Sequence, residues 1–258
     1  MDFDLNGRVA MVTGAAHGIG RSICCELGQR GVRVYAGDVL ESDLDESVQA
    51  CRQAGGSCEG QRLDVTDDAS VRAFVDRIAQ TEKRLDFLVN VAGGVMGQTH
   101  QPVEAVSDAD WNAVLAVNLT GTFHCSRAAA PLMKQQNFGR IVNISSGAGR
   151  STSLTGIQAY TSAKAGQIGL TRQLARELGP WNVTVNAIAP GFVRSNPTTE
   201  KQWESYGPEG QQELVENIAL RRTGRPEDIA YGVLFFVSDY AAWCSGQVLS
   251  IDGGHSMF

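Results

Sequence analysis

The chain has 258 residues, 43% hydrophobic and 19% charged, with a formal net charge of −6. That length and apolar content suit one large α/β core. The acidic balance argues against nucleic acid or an anionic membrane surface as the main partner.

At the N-terminus, MDFDLNGRVAMVTG has no basic stretch leading into a signal-like apolar run, and no segment approaches the roughly 18 apolar residues of a membrane span. A cytoplasmic protein is expected. The six cysteines (Cys24, Cys25, Cys51, Cys58, Cys125 and Cys244) form no C-x-x-C pair and no histidine-spaced cluster. Reduced thiols are therefore expected, with neither a disulfide framework nor a metal site.

RVAMVTG reads as the first strand and leads through TGAAHGIG, residues 13–20, into a helix over 19–30. Glycines there permit a tight turn and let a pyrophosphate approach the amides of a helix N-terminus. The spacing is G-x-x-x-G-x-G rather than G-x-G-x-x-G, and an ordinary strand–helix turn is the alternative. RVYAGD, the second strand, ends at Asp38, 18 residues past Gly20. A carboxylate there accepts hydrogen bonds from both ribose hydroxyls and repels a 2′-phosphate. His17 and Val39 flank this region, with no arginine or lysine beside them, which favours NAD(H) over NADP(H). A plain turn residue is the competing reading of Asp38.

Helices are expected over 44–54 and 69–81, on either side of a third strand, CEGQRLDV. LDFLVNVAG follows as the fourth strand, then one long helix over 108–134. GRIVNISS, the fifth strand, ends in two hydroxyls, Ser145 and Ser146, and precedes a helix over 159–178. VTVNAIAPG is the sixth strand. Segment 195–222, with Pro197, Gly207 and Pro208, reads as a loop or helical excursion forming a substrate lid. A helix over 226–238 and a seventh strand, QVLSIDGG, complete the pattern. Strands alternating with helices, without linker or repeat, predict an α/β fold: a single Rossmann-like doubly wound domain over 1–258, with a seven-stranded parallel sheet flanked by helices.

YTSAK places Tyr160 and Lys164 one helical turn apart on one face. A phenol near pKa 10 is a poor base at pH 7, and a nearby ammonium favours its phenolate. A serine at the preceding strand end could hydrogen-bond the same substrate oxygen. Alone, the pair equally describes a solvated helix face, and Ser145 and Ser146 both remain candidates.

Together the motifs resemble the short-chain dehydrogenase/reductases over essentially the whole chain. TGAAHGIG is similar to their TGxxxGxG cofactor loop, and NVAG, residues 90–93, to their NNAG strand end with Val91 replacing the second asparagine. VNLTG supplies their helix asparagine as Asn118, and PGFVRS, residues 190–195, their PG motif with Ser195 where threonine is usual. Aligning ISSGAG on I-x-S-x-x-G selects Ser146, one residue further from Tyr160 than the family spacing. The resemblance implies that Asn118, Ser146, Tyr160 and Lys164 are catalytic. It implies NAD(H) contacts from Gly14, His17, Gly18, Ile19 and Gly20, from Asp38, Asp64 and Val65, and from Asn90, Ala92 and Gly93. Tyr160 and Lys164 would meet the nicotinamide ribose, and Pro190, Gly191, Val193 and Ser195 the carboxamide. For Asp64 a turn-capping role is the alternative.

Substrate choice is expected from segments 94–98, 151–158 and 195–222, with Gly94, Ser146, Ser151, Gln158, Tyr160 and Trp203 as contacts. Trp203 and Tyr206 could equally be lid anchors packed on the core, and Arg194 a solvated side chain. The polar mix suits a sugar, polyol or hydroxy acid. Within the enzymes, a 3-oxoacyl-thioester (acyl-carrier-protein) reductase is the runner-up, with Arg221, Arg222 and Arg225 as a docking patch. Outside them stands a catalytically inactive cofactor-binding scaffold. The resemblance also implies a homotetramer acting on a small-molecule alcohol or carbonyl compound.

Overall fold

The computed structural model describes residues 3–256. Seven strands, β1 (Val9–Thr13), β2 (Arg33–Asp38), β3 (Ser57–Arg62), β4 (Phe87–Asn90), β5 (Gly139–Ile144), β6 (Val183–Pro190) and β7 (Val248–Ile251), form one sheet. Its order is β3-β2-β1-β4-β5-β6-β7, with every pair parallel. The order reverses between β1 and β4, so their C-terminal ends open a crevice at the switch point of a Rossmann-like sheet.

β1 shows why the sheet is buried on both faces. All five of its residues are buried, as expected of a central parallel strand. Because side chains alternate, Ala10 and Val12 pack with Ile23, Leu27, Val233 and Val237, on the side of α1 (Gly18–Gly28), α2 (Glu41–Gln53) and α9 (Pro226–Val237). Val9 and Met11 pack instead with Phe74, Ile78, Ala129 and Met133, on the side of α3 (Asp68–Glu82) and α5 (Gly121–Gln135). α6 (Gln158–Leu178) covers that second face through Leu174 and Leu178.

Two expected elements differ in detail. The helix expected over 108–134 is divided into α4 (Asp108–Leu115), a π-helical turn (Ala116–Thr120) and α5. Asn118 lies in that turn and is fully buried. Such turns insert one residue into the helical ladder and often re-aim a functional side chain. Segment 195–222 contains two helices, α7 (Pro197–Ser205) and α8 (Gly207–Glu216). Pro197 and Pro208, which looked like breakers, occupy first-turn positions where the missing N–H costs nothing. Asn196 caps α7 through the amides of Thr198 and Thr199. Among the described residues, no helix is long and apolar enough to cross a membrane.

Candidate active site

The loop from β1 to α1 forms a cradle that side chains would fill. Gly14 and Gly18 have φ of +64° and +44°, a region open mainly to glycine. A Cβ on Gly14 would lie 2.7 Å from the amide nitrogen of Ala92. One on Gly18 would collide with the carbonyl oxygen of Ser195, the first residue of the lid segment. The loop, the end of β4 and the lid therefore meet around the first turn of α1, which also holds Ile19 and the buried Gly20. Thr13 Oγ1 ties the same region together, accepting hydrogen bonds from the amides of Val91 and Ala92 at 3.1 Å each. Sequence reading had given Thr13 no such role.

Asp38, at the end of β2, has both oxygens turned to backbone amides. Oδ2 accepts from Ala16 N at 3.0 Å and Oδ1 from Leu40 N at 3.1 Å. A carboxylate offers about four acceptor sites, so capacity remains for ribose hydroxyls. The expectation that no arginine stands nearby needs correction: Arg21 reaches back from α1, its Nη2 donating to Ala16 O at 2.8 Å. It escaped notice because residues three or four apart share a helix face, which sequence adjacency to Asp38 does not reveal. His17 Nε2 lies 3.1 Å from Asp43 Oδ2. Asp64 caps its own turn, Oδ1 accepting from the Thr66 hydroxyl at 2.7 Å and amide at 3.0 Å, and these bonds hold the carboxyl below its usual pKa range. Val65 beside it is buried.

On the other side of the crevice, Asn118 clasps the loop after β4. Its Oδ1 accepts from Gly94 N at 3.0 Å while its Nδ2 donates to Gly94 O and Val114 O, each at 2.8 Å. A Cβ on Gly93 would lie 2.6 Å from Asn118 Oδ1 and 3.1 Å from Lys164 Nζ, so only glycine leaves room there. Lys164, 3% exposed, donates from Nζ to Ile144 O at 2.8 Å, with its Nζ 5.7 Å from the Tyr160 ring centroid.

The two serines separate cleanly. Ser145 Oγ donates to Lys164 O at 2.9 Å and is buried against α6. Ser146 Oγ accepts from Ala148 N at 3.1 Å, and its hydroxyl lies close enough to the Tyr160 phenol to lower its pKa. Ser146 thus shares the crevice with Tyr160, and Ser145 fixes the helix that carries it.

The electrostatics run opposite to one expectation. Lys164 was expected to hold the Tyr160 phenol low. Burial instead pushes the phenol above its ordinary value, against a smaller lowering by the Ser146 hydrogen bond. Burial also brings the Lys164 amine down to about 7. Its hydrogen bond to Ile144 O leaves that amine without a carboxylate to hold the proton, so desolvation favours the neutral form of both groups.

Behind these residues runs a buried polar chain that the sequence did not announce. Asn90 Nδ2 donates to Asn143 Oδ1 at 2.8 Å, and Asn143 Nδ2 to Thr171 Oγ1 at 2.9 Å. Thr171 Oγ1 donates to Gln167 O, Gln167 Nε2 to Thr122 Oγ1, and Thr122 Oγ1 to Asn118 O. The signal was present as Asn90 and Asn143 inside otherwise apolar strands, because a buried polar side chain requires a partner.

The PG segment closes the remaining side. A Cβ on Gly191, which follows Pro190, would meet Asp252 Cβ at 2.7 Å, Val193 is buried, and Ser195 N donates to Thr199 Oγ1 at 2.9 Å. Two proposed substrate contacts have protein partners of their own. The Trp203 ring packs 6.0 Å from Phe192 and beneath the Arg194 guanidinium, which itself pairs with Glu200 at 2.6 Å. Tyr206 also packs on Phe192, at 5.9 Å, so both aromatics anchor segment 195–222. Gln158 Nε2 donates to Gln101 O at 2.9 Å, and Ser151 is exposed.

Comparisons with known proteins agree with this arrangement. A family model described as enoyl-(acyl carrier protein) reductase matches residues 14–256. A 3-oxoacyl-(acyl-carrier-protein) reductase of Thermotoga maritima is 38% identical, covering 97% of this chain and 98% of its own. A cyclohexanol dehydrogenase of a Rhodococcus species is 36% identical over 97% and 96%. A crystal structure of actinorhodin polyketide ketoreductase with NADPH superposes with a TM-score of 0.91 at 29% identity, covering both chains fully. Full-length matches of this kind, on a sheet whose switch point gathers a glycine cradle and a Ser–Tyr–Lys cluster, settle the family: the chain belongs to the short-chain dehydrogenase/reductases, oxidoreductases that use a nicotinamide cofactor.

Proposed function

We propose that this chain transfers a hydride between NAD(H) and a small polar secondary alcohol or ketone, such as a sugar, polyol or hydroxy acid. The observation that carries the reading is the meeting of Ser146, Tyr160, Lys164 and Asn118 at the crevice that opens beside the glycine cradle. A nicotinamide dinucleotide fits the residues present. Gly14, Gly18 and Gly93 leave open the space that a Cβ would fill, and Asp38 is fixed at the loop with acceptor capacity left for ribose. When bound, that cofactor supplies the hydride donor or acceptor.

The chain's own residues handle the proton and the orientation. Tyr160, neutral at pH 7, gives its phenolic proton to a carbonyl oxygen in the reductive direction; in the oxidative direction it first passes that proton to the Lys164 amine and, as phenolate, takes the proton of the alcohol. Ser146 orients the same oxygen by hydrogen bonding. Lys164, titrating near 7, exchanges a proton beside Tyr160 at little cost, and Asn118 keeps the Gly93–Gly94 backbone clear of both. The test is formation of NADH across sugars, polyols, hydroxy acids and cyclic diols, with cofactor titration alongside. Turnover with NAD above NADP supports the reading; tighter binding of NADPH than NADH overturns the cofactor preference.

A second reading, 3-oxoacyl-thioester reduction, is favoured by the Thermotoga maritima relative and by the NADPH in the ketoreductase structure. Against it, Arg222 is held by Asp228 through two bonds of 2.6 and 2.9 Å, and Arg221 donates to the Glu216 carbonyl. Much of the supposed docking patch is thereby engaged. Faster reduction of an acetoacetyl thioester with NADPH than of any free ketone with NADH would select this second reading. The intact Ser–Tyr–Lys cluster speaks against an inactive scaffold. A cytoplasmic homotetramer completes the proposal, supported by the exposed Tyr231, Trp243 and Leu249 near the edge strand β7; sedimentation reads the assembly.

A further inference from the structure

Two N–H-bearing side chains adjoin Ala16, whose amide binds the Asp38 carboxylate, and α2 engages both. Ala16, whose amide binds Asp38, lies next to His17 in the loop, and its carbonyl accepts from Arg21. Arg21 also gives its Nε to Ser47 Oγ at 2.8 Å, and the same Nη2 lies 3.2 Å from Asp43 O and 3.3 Å from Glu46 Oε2. His17 Nε2 lies 3.1 Å from Asp43 Oδ2. The other charged groups here, Glu41 and Arg62, face each other at 3.8 Å. A 2′-phosphate on the adenosine ribose would arrive beside Asp38 and would need such donors.

We propose that Asp43 is a specificity-determining residue: by holding His17 it withholds an imidazole N–H from a 2′-phosphate and adds a second negative charge next to the loop that Asp38 binds. The inference rests on the NAD(H) reading above and deepens it. Discrimination then depends on two carboxylates from different elements, one at a strand end and one on α2. Asp43 contributes through its neighbour, since its partner is His17.

Fluorescence titration of the purified full chain with NADH and with NADPH tests this, on wild type and on Asp43→Ala, Asp43→Glu and the His17→Ala/Asp43→Ala double variant. Asp43 has a side chain 38% exposed, so its truncation leaves the core intact. The expected result is a gain of about tenfold in NADPH affinity for Asp43→Ala, with NADH affinity within about threefold of wild type. Asp43→Glu keeps wild-type discrimination, and the double variant loses most of the gain. NADPH affinity unchanged in Asp43→Ala, or a gain that persists fully in the double variant, overturns the role given to the pair. Should Asp43→Ala not fold, Asp43→Asn removes the charge at constant shape, and an NADPH affinity equal to wild type there overturns it as well. Wild type binding NADPH more tightly than NADH would instead sink the NAD(H) reading itself, whatever the variants do.

Discussion

Lys164 Nζ lies 5.7 Å from the centre of the Tyr160 ring and donates its hydrogen bond to Ile144 O, a neutral acceptor. That geometry makes stability depend on pH. The buried amine titrates near 7, well below its ordinary 10.5, so above pH 7 the unfolded chain holds a proton that the folded chain has released. At this site stability therefore rises with pH from about 7 towards the ordinary lysine value of 10.5. Above the ordinary thiol value of 9.0 the net sign reverses, because Cys51, raised by its hydrogen bond to Cys58 and by burial, and Cys125, raised by burial, stay protonated to about 12 while the unfolded chain loses those protons first. Thermal melts of the cofactor-free protein should show wild type gaining on Lys164→Met between pH 7 and 8.5. A constant difference across that range contradicts the assignment.

Tyr160 stands beside Ser146 at the crevice, where burial raises the pKa of the phenol and the Ser146 hydroxyl lowers it. Tyr160→Phe should lower kcat by about a thousandfold and Ser146→Ala by about a hundredfold, as expected when a proton donor or an orienting hydroxyl is removed. NADH affinity should change little in Ser146→Ala. Near wild-type turnover by Tyr160→Phe on a confirmed substrate would remove the phenol from the mechanism.

The sheet was legible because central parallel strands are mostly apolar runs, VAMVT and RIVNI among them, each followed by a helix-period segment. Ser146, Tyr160 and Lys164 were legible because the strand-end motif ISSGAG and the helical spacing of YTSAK are each local, whatever the length of the loop between them. The π turn was not, since inserting a residue into a helix leaves the apolar periodicity almost unchanged, and Asn118 has no flanking glycine or proline to mark it. The lid helices were hidden by Pro197, Gly207 and Pro208, residues that can stop a helix or start one. Neither the Arg21 approach to Ala16 nor the packing of Trp203 on Phe192 follows from local sequence, because both depend on how separate segments pack.

Asn118 joins scaffold and site through three hydrogen bonds of its amide, two to Gly94 and one to Val114 O. Asn118→Leu leaves the Gly94 amide and carbonyl without these partners and should cost about 1–3 kcal/mol of stability. The loop beside Lys164 would loosen, so kcat should fall even where the protein remains folded. Unchanged melting together with unchanged kcat would show that the clasp is dispensable.

The roof of the crevice is held by contacts between segments rather than by the core. Gln158 Nε2 donates to Gln101 O at 2.9 Å from a position two residues before Tyr160, and His100 Nδ1 lies 3.2 Å from Gly156 O. Gln98 Nε2 adds a bond of 2.9 Å to Asp110 Oδ1. Gln158, assigned from sequence to the substrate, donates to the backbone of the 94–102 loop. Removing a positioning contact of this kind weakens substrate binding more than chemistry, because the reacting groups themselves stay in place. Gln158→Ala should therefore raise KM by about tenfold with kcat within about threefold of wild type, and Gln158→Glu, which cannot donate to Gln101 O, should do the same. Direct substrate contact predicts another pattern: Gln158→Glu and Gln158→Ala would then separate strongly according to substrate charge, with the 94–102 loop equally protected from proteolysis in both.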